Sequence, residues 1–280
     1  MIGICLCFFV LKIKLNAYPH ESYSFMRVRS ERRKELAHDN DSKCDPRKKV
    51  AFLKTHKTAS TTIQNILLRF GRDNDLNFVL SADGPIMSLH RPFKRSMIQG
   101  TPWENAGLEY DMFLQHAIWN YREIAATLSD HKDVFYFSII RDPVEQFRSL
   151  WDYTGLSKMY KTSLDAYAAN VVKDSSKPYR KRPSGFNQML YDFGLPYKDM
   201  DDKAKVENKI KAIDKEFDLI ILSDTDYFND SVILLKQALC WEYKHIVNFQ
   251  LNARNDKTIT RISDKAYQNL KGNLLSVYIV

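Results

Sequence analysis

The residues best suited to chemistry form one short run rich in lysine and hydroxyl side chains. The run reads Lys54-Thr55-His56-Lys57-Thr58-Ala59-Ser60-Thr61-Thr62. It follows the apolar segment Val50–Leu53 and precedes apolar residues at helical spacing from Ile63 to Phe70. This order predicts a strand, a tight loop and a helix N-terminus, where backbone N–H groups and the helix dipole favour an anion. A phosphate or sulfate group is therefore the expected ligand.

The same run lacks the glycines of a nucleotide-triphosphatase loop. That motif, G-x-x-x-x-G-K-[ST], uses glycine where the backbone approaches the phosphates. No glycine occurs between Val50 and Phe70. We therefore do not expect this loop to hold ATP with magnesium.

A second candidate anion contact is Arg141, which directly follows the apolar run Val134–Ile140. The run predicts a buried strand, and Pro143 suits the first turn of a helix that continues to Trp151. Arg141 would then lie at the carboxyl edge of the sheet, where open α/β sheets bind their ligands. The run Lys54–Thr62, called the lysine-rich loop below, is expected at the same edge.

Ser149 follows Arg141 by about two helical turns, so its hydroxyl and the guanidinium could grip one phosphate together. The alternative is that Arg141 forms a structural ion pair with Asp142 or Glu145. The residues alone leave both interpretations open.

The wider pattern alternates strands with helices. Phe217–Leu222 predicts a third buried strand, and the spacing of Val232, Leu235 and Leu239 predicts a helix after it. Such alternation favours a parallel sheet of βαβ units. The predicted fold class is therefore α/β, with a central parallel β-sheet flanked by helices.

Two segments carry a family resemblance. Phe52–Thr62 and Ile139–Pro143, taken with Ser149, resemble the two cofactor-binding signatures of sulfotransferases that use 3′-phosphoadenosine 5′-phosphosulfate (PAPS). More narrowly they resemble the galactose 3-O-sulfotransferase family, and the likeness covers roughly residues 44–272. The resemblance implies a P-loop-like sulfotransferase fold and transfer of a sulfuryl group to a galactose 3-hydroxyl. PAPS would be the co-substrate, and no metal is expected.

The resemblance also assigns roles to residues. Lys57 would neutralise charge at the sulfuryl group as the S–O bond breaks, and Arg141 with Ser149 would hold the 3′-phosphate. The residues that would hold the 5′-phosphate are Thr58, Ser60, Thr61 and Thr62. The remaining members of the cofactor-binding loop are Lys54, Thr55 and Ala59.

The base that removes the acceptor proton is expected to be a histidine, because its pKa lies near neutrality. His116 matches a family histidine and is the first candidate, while His56 inside the loop is the competing one. Two neighbours depart from the family pattern, since Gln115 replaces a histidine and Ile118 stands where arginine is usual. These departures concern acceptor specificity more than sulfuryl transfer.

Composition adds a net charge of +8 and a pI near 9.1, which favour anionic partners. We expect a galactose-terminated glycolipid or glycan and no nucleic acid, because the basic residues are scattered and no recognised nucleic-acid module accompanies them. The sequence does not define an oligomeric state. Two alternatives stay open: a nucleotide or small-molecule kinase on a related scaffold, and a catalytically silent glycan-binding protein.

The termini suggest three regions. Residues 1–11 form an apolar leader or partial signal anchor, shorter than the roughly 20 residues that span a bilayer. Residues 12–49 read as a polar stem, and residues 50–280 as the catalytic domain, whose apolar tail is interpreted as an interrupted helix or altered terminus. Cys44 and Cys240 allow a disulfide without requiring one. By resemblance, the protein would be a single-pass type II Golgi membrane protein with a lumenal catalytic domain.

Overall fold

A computed structural model describes residues 27–28, 44–81, 86–98, 107, 109–128, 131–171, 185, 187–224, 227–248 and 260–274. The predicted leader, most of the predicted stem and the last six residues of the apolar tail lie outside the described residues. Within the described part, no helix has the length and apolarity needed to cross a bilayer.

The described residues build one six-stranded sheet. Its strands are β1 (Arg27–Val28), β2 (Val50–Leu53), β3 (Phe78–Val79), β4 (Met112–Phe113), β5 (Phe135–Ile140) and β6 (Leu219–Leu222). The spatial order is β1-β6-β5-β2-β4-β3, and β1 alone among these strands runs antiparallel to its neighbour. The predicted α/β class and parallel central sheet are confirmed.

Ten α-helices occur among the described residues. They are α1 (Ser60–Asp73), α2 (Tyr121–Ala125), α3 (Pro143–Thr154), α4 (Leu156–Tyr160), α5 (Leu164–Val171), α6 (Gln188–Asp192), α7 (Lys203–Glu216), α8 (Phe228–Ala238), α9 (Tyr243–Ile246) and α10 (Asp264–Asn273). Short 3-10 turns cover Arg95–Met97, His131–Asp133 and Tyr197–Asp199.

The sheet separates two apolar layers because successive strand residues face opposite sides. In β2, Val50 and Phe52 belong to the layer formed with α1 and α8, whereas Ala51 and Leu53 belong to the layer formed with α3 and α10. All residues of β2, β5 and β6 are buried, as expected for strands covered on both faces. Their continuous apolar runs follow from this double coverage.

The loops that follow β2, β5 and β6 leave the sheet at one edge, because these three strands are parallel neighbours. After β5 the chain turns directly into α3. Pro143 occupies the first turn, and Asp142 caps the helix by accepting hydrogen bonds of 2.9 Å from the backbone N–H groups of Val144 and Glu145. The capped turn fixes the direction in which Arg141 leaves the strand.

The segment before β2 is tied to the far end of α8. A disulfide joins Cys44 to Cys240, across a sequence separation of 196 residues. The N–H of Arg47 donates to the Leu239 carbonyl at 2.9 Å, and the indole of Trp241 donates to the Arg47 carbonyl at 3.0 Å. The pairing that the two cysteines allowed is therefore present.

Candidate active site

The loop between β2 and α1 has a backbone of alternating handedness. Lys57 and Ala59 both adopt the left-handed conformation, with φ of 61° and 54°, and Thr58 lies between them. Such a conformation costs a side-chain-bearing residue roughly 1–2 kcal/mol. Alternation of this kind turns successive N–H groups toward one side, which is the geometry of an anion-binding concavity. The 14-residue helix α1 begins there, with no side-chain cap at its N-terminus.

Three of the loop hydroxyls hold the loop itself together. Thr55 donates to the Ile139 carbonyl, so Thr58 must supply the proton shared by the two threonine hydroxyls at 2.7 Å. Ser60 donates to the Thr55 carbonyl at 2.6 Å. Because each hydroxyl has one proton, these three cannot donate to a ligand while the bonds persist. The geometry therefore favours backbone N–H groups as the anion donors near Thr58 and Ser60.

Thr61 differs from these hydroxyls because it is exposed and accepts a bond. The ammonium of Lys54, almost completely buried, donates to the Thr61 hydroxyl at 2.8 Å. The proton of Thr61 is thereby left for another acceptor. Burial, together with the nearby Lys57, lowers the pKa of Lys54 to about 8. The fold therefore disfavours the charged form of Lys54. An anion bound at the lysine-rich loop would stabilise that charged form.

Lys57 is partly exposed. Its ammonium stands 4.0 Å from the centroid of the Tyr153 ring, on α3. Tyr153 is 74% exposed, so this cation–π contact is formed at the protein surface. The contact places the lysine between the loop and the helix that follows β5.

The structure brings Arg141 to the lysine-rich loop, as the shared sheet edge predicted. Its Nη1 donates to the Lys57 carbonyl at 3.4 Å. The same guanidinium lies 3.7 Å from the Glu145 carboxylate, so the alternative ion pair is also formed. Its Nε is buried and has no hydrogen-bond partner among the described residues. The Nε donor of Arg141 is therefore available to a ligand.

Ser149 lies on the buried face of α3, and its cooperation with Arg141 stays a prediction. A second serine at this edge was not assigned a role from the sequence. The Ser223 hydroxyl, directly after β6, is buried and has no partner within the described part of the chain. The Ser223 N–H donates to the Ile140 carbonyl at 2.9 Å, which places this residue next to the start of the Arg141 turn.

The two candidate histidines lie face to face. The rings of His56 and His116 are 4.2 Å apart between centroids and inclined by 21°. His116 Nδ1 lies 2.7 Å from the Lys54 carbonyl, which only accepts, so Nδ1 carries the hydrogen. The Nε2 of neutral His116 is then a lone-pair acceptor. Sequence separation hid this contact, since β2 and β4 had to pair before the rings could meet.

His56 is held by a residue that sequence reasoning missed, Asp192 at the end of α6. The buried carboxylate accepts from the His56 backbone N–H at 2.8 Å and contacts its Nδ1 at 2.9 and 3.0 Å. Gln146 donates to the His56 carbonyl at 3.0 Å. The only signal in the sequence was the family likeness over roughly residues 44–272, which assigned no role to this carboxylate.

The surroundings shift the two histidine pKa values in opposite directions. Burial lowers the pKa of His56, but the charge of Asp192 and its hydrogen bond outweigh burial and raise that pKa above the ordinary value. Burial lowers the pKa of His116 to about 2, helped by the neighbouring charges of His56, Lys54 and Lys57. The pair therefore consists of one ring that holds a proton readily and one that resists it.

The two departures from the family pattern make contacts with other parts of the chain. The Gln115 side chain accepts from the Ser81 N–H at 3.3 Å. Ile118 is buried, and its carbonyl accepts from the Phe93 N–H at 2.9 Å. Burial of an arginine at position 118 would be costly without a partner, so the isoleucine suits this local environment.

Comparison with known proteins yields consistent relatives. The family model described as Galactose-3-O-sulfotransferase matches residues 6–275. Human galactosylceramide sulfotransferase is 31% identical over 239 residues, covering 82% of this chain and 54% of that protein. Mouse galactose-3-O-sulfotransferase 2 is 31% identical over 231 residues, covering 79% of this chain and 57% of that protein. Human galactose-3-O-sulfotransferase 4 is 24% identical over 276 residues.

The chain spans about half the length of the curated relatives it matches. The match nevertheless includes both strand-edge loops, the stacked histidines and the buried carboxylate of Asp192. This chain therefore belongs to the galactose-3-O-sulfotransferase family.

Proposed function

We propose that this protein transfers the sulfuryl group of PAPS to a galactose 3-hydroxyl of a glycolipid or glycan. The observation that carries the proposal is the meeting of Arg141 with the lysine-rich loop, where its guanidinium donates to the Lys57 carbonyl. The anion donors that follow β2 and those that follow β5 therefore lie next to each other. A ligand with two separate phosphate groups matches this arrangement better than a ligand with one.

The cationic residues fit such a ligand. The unpaired Nε of Arg141 supports contact with a phosphate, for which we propose the 3′-phosphate of the adenosine, with Ser149 as its partner. Lys54, Lys57, the Thr61 hydroxyl and the N–H groups of the loop would hold the 5′-phosphate and the sulfuryl group. Thr55, Thr58 and Ser60 would keep the loop in shape. Ala59 would contribute through its backbone N–H, whereas the Thr62 N–H donates to the Ala59 carbonyl at 3.0 Å and so helps to hold the start of α1.

When bound, PAPS supplies the sulfuryl group, and the residues of the chain then have three tasks. Lys57 neutralises negative charge that develops on the bridging oxygen as the S–O bond breaks. The loop and Arg141 fix the donor so that the acceptor oxygen is in line with that bond. His116 accepts the acceptor proton at Nε2 while the new O–S bond forms. No residue of the chain forms a covalent bond in this scheme, and the expectation that no metal takes part stays a prediction.

His116 is the proposed base because its Nδ1 hydrogen is committed to the Lys54 carbonyl. Its pKa is very low because the ring is buried and because the positive charges of His56, Lys54 and Lys57 lie around it. A bound donor brings several negative charges next to these cations, so binding is expected to raise the pKa of His116 and strengthen the base. His56 stays the competing candidate for this role.

The compartment and the partners belong to the same proposal. The Cys44–Cys240 disulfide supports an oxidising environment, as in the lumen of the secretory pathway. We propose a Golgi membrane enzyme of type II topology that acts on galactose-terminated acceptors. Family membership supports the acceptor class, whereas the choice between lipid and protein-linked glycan rests on an experiment.

The direct test is transfer of radiolabelled sulfate from PAPS to galactosylceramide, lactosylceramide and N-acetyllactosamine. We expect Lys57→Ala and His116→Ala each to lower the rate at least a hundredfold, because each removes a group that acts in the transition state. Lys203→Ala is the control, since Lys203 is a highly exposed surface residue of α7.

Two results would contradict the proposal. One is the absence of labelled product with all three acceptors while the protein stays folded. The other is thermal stabilisation by ATP with magnesium but not by adenosine 3′,5′-bisphosphate, which would favour the kinase alternative.

A further inference from the structure

We propose that Asp192 is a positioning residue that makes the two stacked histidines unequal, so that His56 is a cation and His116 stays neutral. This inference rests on the proposed function, because it divides the work of the two rings in sulfuryl transfer. Asp192 itself does not touch the reacting atoms in this account. It acts through His56.

The contacts of Asp192 fix the His56 ring. An ionised carboxylate only accepts hydrogen bonds, so the His56 Nδ1 at 2.9 Å must carry a hydrogen. The same carboxylate accepts from the His56 backbone N–H at 2.8 Å, so ring and backbone are held by one group. The other ring nitrogen, Nε2, therefore points away from Asp192.

Asp192 is in turn held in place by Gln188 and Trp119, and Gln188 has a further contact of its own. Gln188 donates to its Oδ1 at 2.8 Å, and Tyr197 donates to the other end of the Gln188 amide at 3.0 Å. The Asp192 carbonyl accepts from the Trp119 N–H at 2.8 Å, which links this turn to the segment carrying His116. Asp192 is only 2% exposed. Such outer contacts orient a functional ring and fix its tautomer.

The stack itself explains why only one ring is charged. Two imidazolium rings with centroids 4.2 Å apart would repel each other in this partly buried site. The charged groups that face His56 are Asp192, Lys54 and Lys57, and those that face His116 are His56, Lys54 and Lys57. The only anion among them contacts His56. A proton is therefore stabilised on His56 and opposed on His116.

This division fits the chemistry of the transfer. Neutral His116 takes the proton from the acceptor hydroxyl as the acceptor O–S bond forms. The S–O bond to the phosphate breaks, and the phosphate leaves with the electron pair. The His56 cation adds to the charge of Lys57 at the place where negative charge accumulates. Opposed pKa shifts in neighbouring titratable groups are a general mark of divided acid and base roles.

The test is a proton NMR titration of histidine-labelled protein, with the signals assigned through His56→Asn and His116→Asn. In the unaltered protein we expect His56 to titrate above the ordinary midpoint of about 6.5 and His116 far below it. In Asp192→Asn we expect the His56 midpoint to fall by at least one pH unit. Burial, Lys54 and Lys57 all lower the pKa of His56, and the charge that opposes them is then removed. Asp199→Asn is the matched control, because Asp199 pairs with Lys205 on the surface.

Activity provides the second readout. We expect Asp192→Asn to lower kcat/KM about 10- to 100-fold, the usual loss when an orienting partner is removed. The pH dependence of kcat/KM should differ between this variant and the unaltered protein. The affinity for adenosine 3′,5′-bisphosphate should change by less than tenfold. A merely structural role would lower activity without moving the His56 midpoint.

The outcomes separate this inference from the proposed function. Equal midpoints for the two histidines in the unaltered protein would overturn the inference even if Asp192→Asn did not fold. A His56 midpoint unmoved by Asp192→Asn would also overturn it. If the midpoints behave as expected but no labelled sulfate is transferred to any acceptor, the division of charge stands and the proposed function fails.

Discussion

At the scale of single residues, the site contains groups that lower the stability of the folded protein. Lys54 is a nearly buried cation whose pKa burial and Lys57 lower to about 8. Lys57 and Ala59 hold left-handed backbone conformations without being glycine. Features of this kind concentrate at functional sites, where binding of a ligand compensates for them. An anion is the ligand that would compensate for both the charge and the loop geometry.

Replacement of Lys54 by methionine should therefore stabilise the folded protein and weaken donor binding. A lowered pKa means that the charged form destabilises the fold below pH 8, and that this penalty disappears as pH rises toward 10.5. We expect Lys54→Met to add roughly 1–3 kcal/mol to the free energy of unfolding at pH 7, after the loss of the bond to Thr61. Urea denaturation measures the first effect, and calorimetry with adenosine 3′,5′-bisphosphate measures the second.

Lys203→Met serves as the control for this experiment, because Lys203 is exposed on α7. Its unfolding midpoint should stay within the error of the unaltered protein. Two results would refute this prediction. One is that Lys54→Met unfolds at a lower urea concentration than the unaltered protein, and the other is that it binds the bisphosphate equally well.

At the scale of elements, the sequence predicted three central strands and the helix after each, but not the two-residue strands or the helices α7 and α10. β2, β5 and β6 were predictable because strands covered on both faces need continuous apolar residues. β3 and β4 contain two residues each, which is too short to leave a periodic pattern. The lysine-rich loop and Arg141 were found because each follows a strong strand signal.

Asp192 was not assigned a role from the sequence for a different reason. It lies 136 positions from His56, and only the fold brings the two together. A lone carboxylate at the end of a five-residue helix carries no chemical signal of its own. The turn after Asp192 requires a glycine. Gly194 has φ of +93°, and its position leaves no room for a side chain.

Gly194→Ala should therefore damage both stability and activity. A methyl group there would stand 2.5 Å from the Trp119 carbonyl oxygen, in a backbone conformation that alanine rarely adopts. We expect a loss of more than about 2 kcal/mol in the free energy of unfolding, measured in urea. Sulfate transfer should fall as well, because the turn holds Asp192 against His56.

Gly272→Ala is the matched glycine control. Gly272 lies in α10 with no neighbour within 4 Å of an added methyl group. Helix propensity predicts a gain of roughly 0.5–1 kcal/mol there. Equal effects of the two substitutions would refute the steric account of the Gly194 turn.

At the scale of the whole molecule, the Cys44–Cys240 disulfide closes most of the sheet into one covalent loop. It joins the segment before β2 to the end of α8 across 196 residues. A cross-link over so long a loop restricts the unfolded chain strongly. The two cysteines alone left this pairing open, because only the paired strands and the Arg47 contacts bring them together.

Removal of the disulfide should destabilise the protein without dismantling the site. We expect the double substitution Cys44→Ser and Cys240→Ser to lower the free energy of unfolding by about 2–4 kcal/mol. The affinity for adenosine 3′,5′-bisphosphate should be preserved under conditions where the variant is folded, because the loop and Arg141 lie at the opposite end of β2. An unfolding midpoint equal to that of the unaltered protein would contradict this account.

The central claim is that Arg141 and the lysine-rich loop bind two separate phosphates of one adenosine ligand. Calorimetry with adenosine 3′,5′-bisphosphate and with adenosine 5′-monophosphate tests it most directly, in the unaltered protein, in Arg141→Ala and in the surface control Arg72→Ala. We predict that the unaltered protein and the control bind the bisphosphate at least tenfold more tightly, and that Arg141→Ala loses this preference. Equal affinity of the unaltered protein for the two ligands would contradict the claim.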